Sequence, residues 1–245
     1  MKSLNLNKTR WLTLAAGMVL YLCIGLIYAW SIFVTPLESE FGWNRSQTSI
    51  IFTISVIAMS FGSVAGSQLV NRFSGKTSIR MAAAMMAAGL ISSTFIRNLE
   101  GLYFCYGVLC GFAVGIVYNV NMNMVVKWFP DKPGMASGIM LMCYGMGSMV
   151  LGTGSSWVIA HFGWRMAFWI LAAIFGSVVF FLAKWILPPP AHVLHELAQK
   201  AAENTGKKNS VKKIEALELP TLQVLRRPTA WMYLIWDTIL TAAGM

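Results

Sequence analysis

The amino-acid sequence predicts an all-α polytopic membrane protein, with six complete transmembrane helices and part of a seventh. Three observations predict it. Hydrophobic residues make up 57% of the chain and charged residues only 11%, against roughly a quarter charged in soluble domains. The apolar residues gather into runs of about 20, the length a helix needs to cross some 30 Å of hydrocarbon. The basic residues fall in the gaps between runs, and they alternate: only Arg45, Arg97 and Arg165 lie in one set of gaps, while the other 16 of the 19 Lys and Arg lie in the opposite set. That bias predicts a cytoplasmic N-terminus and places both ends of the six-helix unit in the cytoplasm. The formal charge of +10 therefore serves orientation in the bilayer, and no nucleic-acid partner is expected.

Met1 to Arg10 is a short basic arm. The first helix runs from Trp11 to about Pro36, longer than the roughly 7–15 apolar residues of a signal peptide, and is followed by the polar loop LESEFGWNRSQ. The second spans about Thr48 to Val70. The basic stretch NRFSGKTSIR separates it from the third, about Ile79 to Ile96. The fourth covers about Leu102 to Val126, the fifth about Gly134 to Ala160, and the sixth about Trp164 to Leu187. Three prolines at 188–190 stop the sixth, since proline lacks the N–H that helix continuation needs. Residues 1–187 thus form a six-helix transmembrane unit, 188–228 a cytoplasmic basic linker with an amphipathic helix near His192 to Glu203, and 229–245 a seventh helix cut short.

The stretch KWFPDKPGMASG between the fourth and fifth helices is a surface hairpin, because Pro130 and Pro133 leave backbone groups that lipid cannot satisfy. Lys127 and Lys132 mark its side as cytoplasmic, Trp128 and Phe129 suit the headgroup layer, and Asp131 completes the charged turn. Gly134, Ser137 and Gly138 then open the fifth helix with little bulk, so another helix can approach closely.

Small residues recur on single faces: Gly107, Gly111 and Gly115 on the fourth helix, Gly62 and Gly66 on the second, Gly138, Gly145 and Gly152 on the fifth. These spacings predict tight helix packing. Gly17, Tyr21, Gly25 and Tyr28 share one face of the first helix. Tyr28, Trp30, Tyr118, Asn119 and Tyr144 are polar groups within apolar runs and need partners there. Two readings stay open for them: hydrogen bonding between helices, or the wall of a water-filled cavity that touches a solute. The four cysteines form no CxxC pair and no metal-ligand spacing, so no metal or cofactor is expected. No HExxH, paired-carboxylate or phosphate-loop motif points to an enzyme.

The segments YAWSIFVTPLESEFGW, KWFPDKPGMASGI, YGMG and FGWRMAF make the chain resemble the N-terminal half of a major facilitator superfamily transporter, most closely the oxalate/formate antiporter family. The resemblance implies three-plus-three inverted repeats, rocking around a central site, and antiport of a small organic anion such as oxalate, formate or another monocarboxylate across the cell inner membrane. It also implies a cytoplasmic gate loop at Asn71, Arg72 and Lys76. The superfamily pattern has an Asp where Asn71 stands, so the negative charge of that latch is absent here, and a simple orienting loop is the alternative reading. The motifs FGWNR and FGWR give a faint internal echo.

An organic anion in a membrane cavity needs a cation partner. No Lys, Arg or His is expected inside any of the six complete helices. The resemblance implies that the anion-binding cations lie in the C-terminal half, so the sequence is expected to be an incomplete transporter that lacks them. The alternative is a non-transporting remnant or helix-packing scaffold. Asp237, in the last run, is a candidate of undecided role.

Overall fold

The computed structural model describes residues 6–190, 193, 194, 228 and 232. The contacts divide the chain after Leu197 into two units, and the fold below is that of the first. The expected linker and seventh helix, Asp237 included, lie outside the described residues apart from the few named positions. Among the described residues all regular structure is helical.

The first span is α1 (Leu6–Ile24), a 3₁₀ turn (Gly25–Ala29) and α2 (Ser31–Phe41). The second is α3 (Arg45–Arg72) and the third α4 (Gly75–Phe95). The fourth joins α5 (Leu99–Leu102), a π-helical stretch (Tyr103–Cys110) and α6 (Gly111–Val126). The fifth and sixth share α7 (Pro133–Ile174), continued by a π-helical turn (Phe175–Val179), α8 (Phe180–Leu182) and a closing 3₁₀ turn (Ala183–Trp185).

Among the described residues five helical runs are long and apolar enough to cross a membrane. The last, Pro133–Trp185, has 53 residues, about 80 Å of helix against a core of about 30 Å. It is broken at Gly163, whose φ of 82° and ψ of 165° are not helical. The run is thus two crossings, and the sequence expectation of six spans holds.

Local chemistry sets the ends. Gly42 closes α2 in the left-handed conformation at φ 69°, its N–H donating to the Glu38 carbonyl, a geometry that glycine adopts without a Cβ penalty. Asn44 then caps α3 reciprocally with Gln47, so the second span starts at Arg45 rather than Thr48. Ser74 caps α4 and brings Lys76 into the third helix, which therefore starts earlier than the expected Ile79. Pro133 occupies the first turn of α7, where its missing N–H costs nothing. Gly42 and Gly163 are the two positive-φ residues among those described. Under a three-plus-three inverted repeat, the turn after the first span corresponds to the hairpin after the fourth. The FGWNR and FGWR echo is therefore shared turn chemistry at one end of the bundle, not a trace of the repeat.

The two closest crossings are of α3 with α6 and of α1 with α7. A Cβ on Gly111 would lie 2.4 Å from the Ser55 carbonyl oxygen, and one on Gly115 2.1 Å from that of Met59. A Cβ on Gly25 would lie 2.0 Å from the Tyr144 carbonyl oxygen, and one on Gly147 2.2 Å from that of Leu22. The repeat would map spans one and five onto spans four and two, so these crossings are an equivalent pair. The sequence expectation is right for the fourth helix and needs correction for the fifth. There Gly147 makes the backbone contact, and of the expected stripe only Gly152 is closely packed, its Cβ position 2.9 Å from Ile32, while Gly134, Gly138 and Gly145 face open space.

Candidate functional site

Four tyrosines from three spans meet where α1 crosses α6 and α7. The Tyr21 ring stacks on Tyr118 at 5.1 Å and meets Tyr144 edge-on at 5.8 Å; Tyr118 and Tyr144 are 5.4 Å apart, and Tyr28 meets Tyr144 at 5.3 Å. The fully buried Tyr21 hydroxyl donates to the Tyr118 carbonyl at 2.8 Å. Tyr144, 7% exposed, turns its hydroxyl toward the Met59 sulfur at 3.5 Å. Tyr118 is half-buried, and Tyr28 is 46% exposed. The cluster thus grades from a buried root at Tyr21 to an open lip at Tyr28. Phenol O–H groups on such a wall can donate hydrogen bonds to carboxylate oxygens.

Asn119 sits one residue further and accepts from Ser67 at 3.1 Å and from Asn123 at 2.8 Å, so it ties α6 to α3. Asn121, fully buried, donates to the Gly17 carbonyl at 3.0 Å and links α6 to α1. Trp30 does not join the tyrosines. It is 3% exposed, packs against Tyr106 at 4.4 Å and Phe33 at 6.2 Å, and donates its indole N–H to the Thr48 carbonyl at 3.0 Å. The expectation for Trp30 as a cavity residue is corrected accordingly. The 3₁₀ turn before it tightens the helix and turns the indole into the core.

The hairpin departs from expectation too. Trp128 and Phe129 are buried pegs rather than headgroup anchors. Trp128 donates its indole N–H to the Leu187 carbonyl at 2.7 Å. Phe129 lies edge-on to Trp11 at 5.6 Å, under the Arg10 guanidinium at 4.0 Å. Asp131 pairs with Arg10. The hairpin is therefore fastened to the start of α1 and the end of the sixth span. Pro130 is half-buried, and Lys127, Lys132 and Gly134 are exposed. At the α3–α4 junction, Asn71 and Arg72 are exposed and Lys76 is half-buried. Arg72 lies 5.9 Å from the Phe73 ring, and among the described residues no carboxylate pairs with Arg72 or Lys76. Sequence reasoning missed the Arg10–Asp131 tie, because its partners stand 121 positions apart.

At the opposite end, Glu40 accepts from Trp164 and from Arg165, both at 2.6 Å, and Arg165 also donates to the Thr94 carbonyl at 3.1 Å. Desolvation raises the Glu40 carboxyl, but the bonds from Trp164 and Arg165 and the charges of Arg165 and Arg97 outweigh it and hold it below the ordinary value. A carboxyl held low in the folded state adds stability that is complete above the unfolded value, about 4.3, and is lost as pH falls through the lower folded value. The stability difference between wild type and Glu40→Gln is thus expected to be constant above about pH 5 and to shrink only below about pH 4. Thermal melts of both proteins across pH check this; a difference that grows on acidification contradicts it.

The Major Facilitator Superfamily profile matches residues 13–245. This chain belongs to the major facilitator superfamily. Within the superfamily it is 30% identical over 183 residues to the oxalate:formate antiporter of Oxalobacter formigenes, covering 74% of this chain and 44% of that protein. It is 30% identical over 148 residues to monocarboxylate transporter 12 of Xenopus laevis, covering 60% of this chain and 32% of the relative. Against human monocarboxylate transporter 1 it is 27% identical over 201 residues, covering 79% and 40%. The chain spans less than half the length of each of these relatives. As a superfamily member with apolar crossing helices it is a multi-pass membrane protein of a transporter family.

Proposed function

We propose that residues 1–187 form one six-helix half of a secondary transporter for small organic anions, oxalate, formate or other monocarboxylates, exchanged by alternating access in the cell inner membrane with the N-terminus cytoplasmic. Tyr28, Tyr118 and Tyr144, with Asn119 beside them, would form the wall of the passage. The observation that carries this reading is the convergence of the three phenols from spans one, four and five, open at Tyr28. The names of the relatives support the solute class, and the Lys and Arg bias supports the orientation.

Hydrogen bonds alone do not offset the cost of bringing an anion into a membrane interior. Among the described residues the basic side chains stand at span ends: Arg10 near the start of α1, Arg45 and Arg72 at the two ends of α3, Lys76 and Arg80 in the first turns of α4, Arg165 beside the Gly163 break. The cation that meets the solute is therefore assigned to a second half, which would be this chain's partner. Reconstituting the 245-residue chain in proteoliposomes, alone and with a second six-helix half, tests the reading. Labelled oxalate or formate exchange is expected only with both. Exchange of equal rate by the chain alone would refute the division of labour, and none in either preparation would refute the solute class.

A further inference from the structure

A second polar feature lies apart from the tyrosines, at the end of the bundle opposite the hairpin. A cavity of about 630 Å³ opens between the ends of the first, third and sixth spans, with Glu40, Thr94, Arg97 and Arg165 among its lining residues and the rings of Phe95 and Trp169 at its side. No residue of the tyrosine cluster lines it.

Its charges do not cancel. Two guanidinium groups face one carboxylate. Arg165 is already engaged, by Glu40 at 2.6 Å and by the Thr94 carbonyl at 3.1 Å. Arg97 is exposed and forms no ion pair among the described residues. One positive charge is left over, so the cavity is matched to one singly charged anion. Arginine suits phosphate oxygens in particular, because its planar N–H fork meets two of them at once.

The surroundings point to the source of that anion. Phe95 is 72% exposed and Trp169 43% exposed, and their rings meet edge-on at 6.1 Å. Large uncovered rings beside a cation belong to the layer where acyl chains give way to headgroups. A free ion would use the cation alone, whereas a lipid would use both: phosphate at Arg97 and acyl chains along the rings. We propose that this cavity binds the phosphate of a singly charged phospholipid headgroup, held by Arg97 and the free edge of Arg165 and flanked by Phe95 and Trp169. The site does not depend on which solute the chain carries. Glu40 sets its strength by neutralising Arg165, so removing that charge tightens binding.

Native mass spectrometry of the full chain, extracted from vesicles of equal phosphatidylglycerol and phosphatidylcholine, is the test. Retained phosphatidylglycerol is expected on the wild type. Arg97→Gln should cut it about tenfold, as for loss of one charge-assisted contact, and Glu40→Gln should raise it. Among the described residues Arg97 makes no side-chain hydrogen bond or ion pair, so a thermal melt should show Arg97→Gln folded, and the opposite sign at Glu40 guards against a merely damaged protein. A parallel titration with inorganic phosphate in detergent separates the sources. Binding that needs Arg97 there, without lipid retention, would keep the anion site and assign it to a free ion. Equal retention of the two lipids, or binding indifferent to Arg97 in both arms, would overturn the proposal.

Discussion

Gly147→Ala is expected to destabilise the protein by about 2–3 kcal/mol, while Gly145→Ala, two residues away on the same helix, leaves stability unchanged or raises it by up to about 1 kcal/mol. The contrast follows from what each new methyl group would meet. At Gly147 it would lie 2.2 Å from the Leu22 carbonyl oxygen and 2.9 Å from the Gly25 Cα. Backbone cannot turn aside as a side chain can, so α1 and α7 would have to part. Parting them would also disturb the tyrosine cluster, because Tyr21 and Tyr28 sit on one helix and Tyr144 on the other. At Gly145 nothing lies within 4 Å, and alanine there only gains helix propensity. Unfolding titrations of the two variants in a mild detergent check the pair. Equal destabilisation would mean that the close crossing is not as described.

Phe129→Ala is expected to cost about 3 kcal/mol, the loss for emptying a buried phenyl site. Phe129 is fully buried, between the Trp11 ring and the Arg10 guanidinium. Removing it strips the cover from a cation whose Nε is buried without a hydrogen-bond partner among the described residues. The remaining Arg10–Asp131 pair would then stand in a wetter site and contribute less. The same titration measures the loss. Because the hairpin joins the start of α1 to the end of the sixth span, cleavage by an added protease near Asp131 should also speed up. A loss below about 0.5 kcal/mol would return Phe129 to the headgroup role that its sequence context suggests.

The order and number of the spans were legible in the sequence because apolar run length and charged gaps are one-dimensional signals. Their starts were less so: Asn44 and Ser74 act through cap geometry, and Lys76 read as loop although α4 includes it. Which face of each helix turns inward was the weakest inference. A helix that is hydrophobic all round carries no stripe to read, so Trp30 and Tyr28, two residues apart, looked alike. The structure separates them through the 3₁₀ turn Gly25–Ala29, which no residue pattern announced. The seven-residue glycine stripe on the fifth helix was right at Gly152 and misled at Gly138 and Gly145 for a related reason: the backbone contact needed a glycine opposite Gly25, and only the crossing of α1 with α7 shows that to be Gly147. Long-range ties such as Glu40 with Trp164 and Arg165 had no local signal at all.

The claim on which the rest depends is that the tyrosine cluster borders a water-filled passage for the solute. Thiol labelling tests it most directly. In a chain freed of Cys23, Cys105, Cys110 and Cys143 and reconstituted with a second six-helix half, Tyr28→Cys and Trp30→Cys would be exposed in turn to a membrane-impermeant maleimide, with and without oxalate or formate. The expected result is rapid labelling at 28, slowed by the anion, and none at 30. Labelling at 30 but not at 28, or labelling at 28 that the anion leaves unchanged, would contradict it.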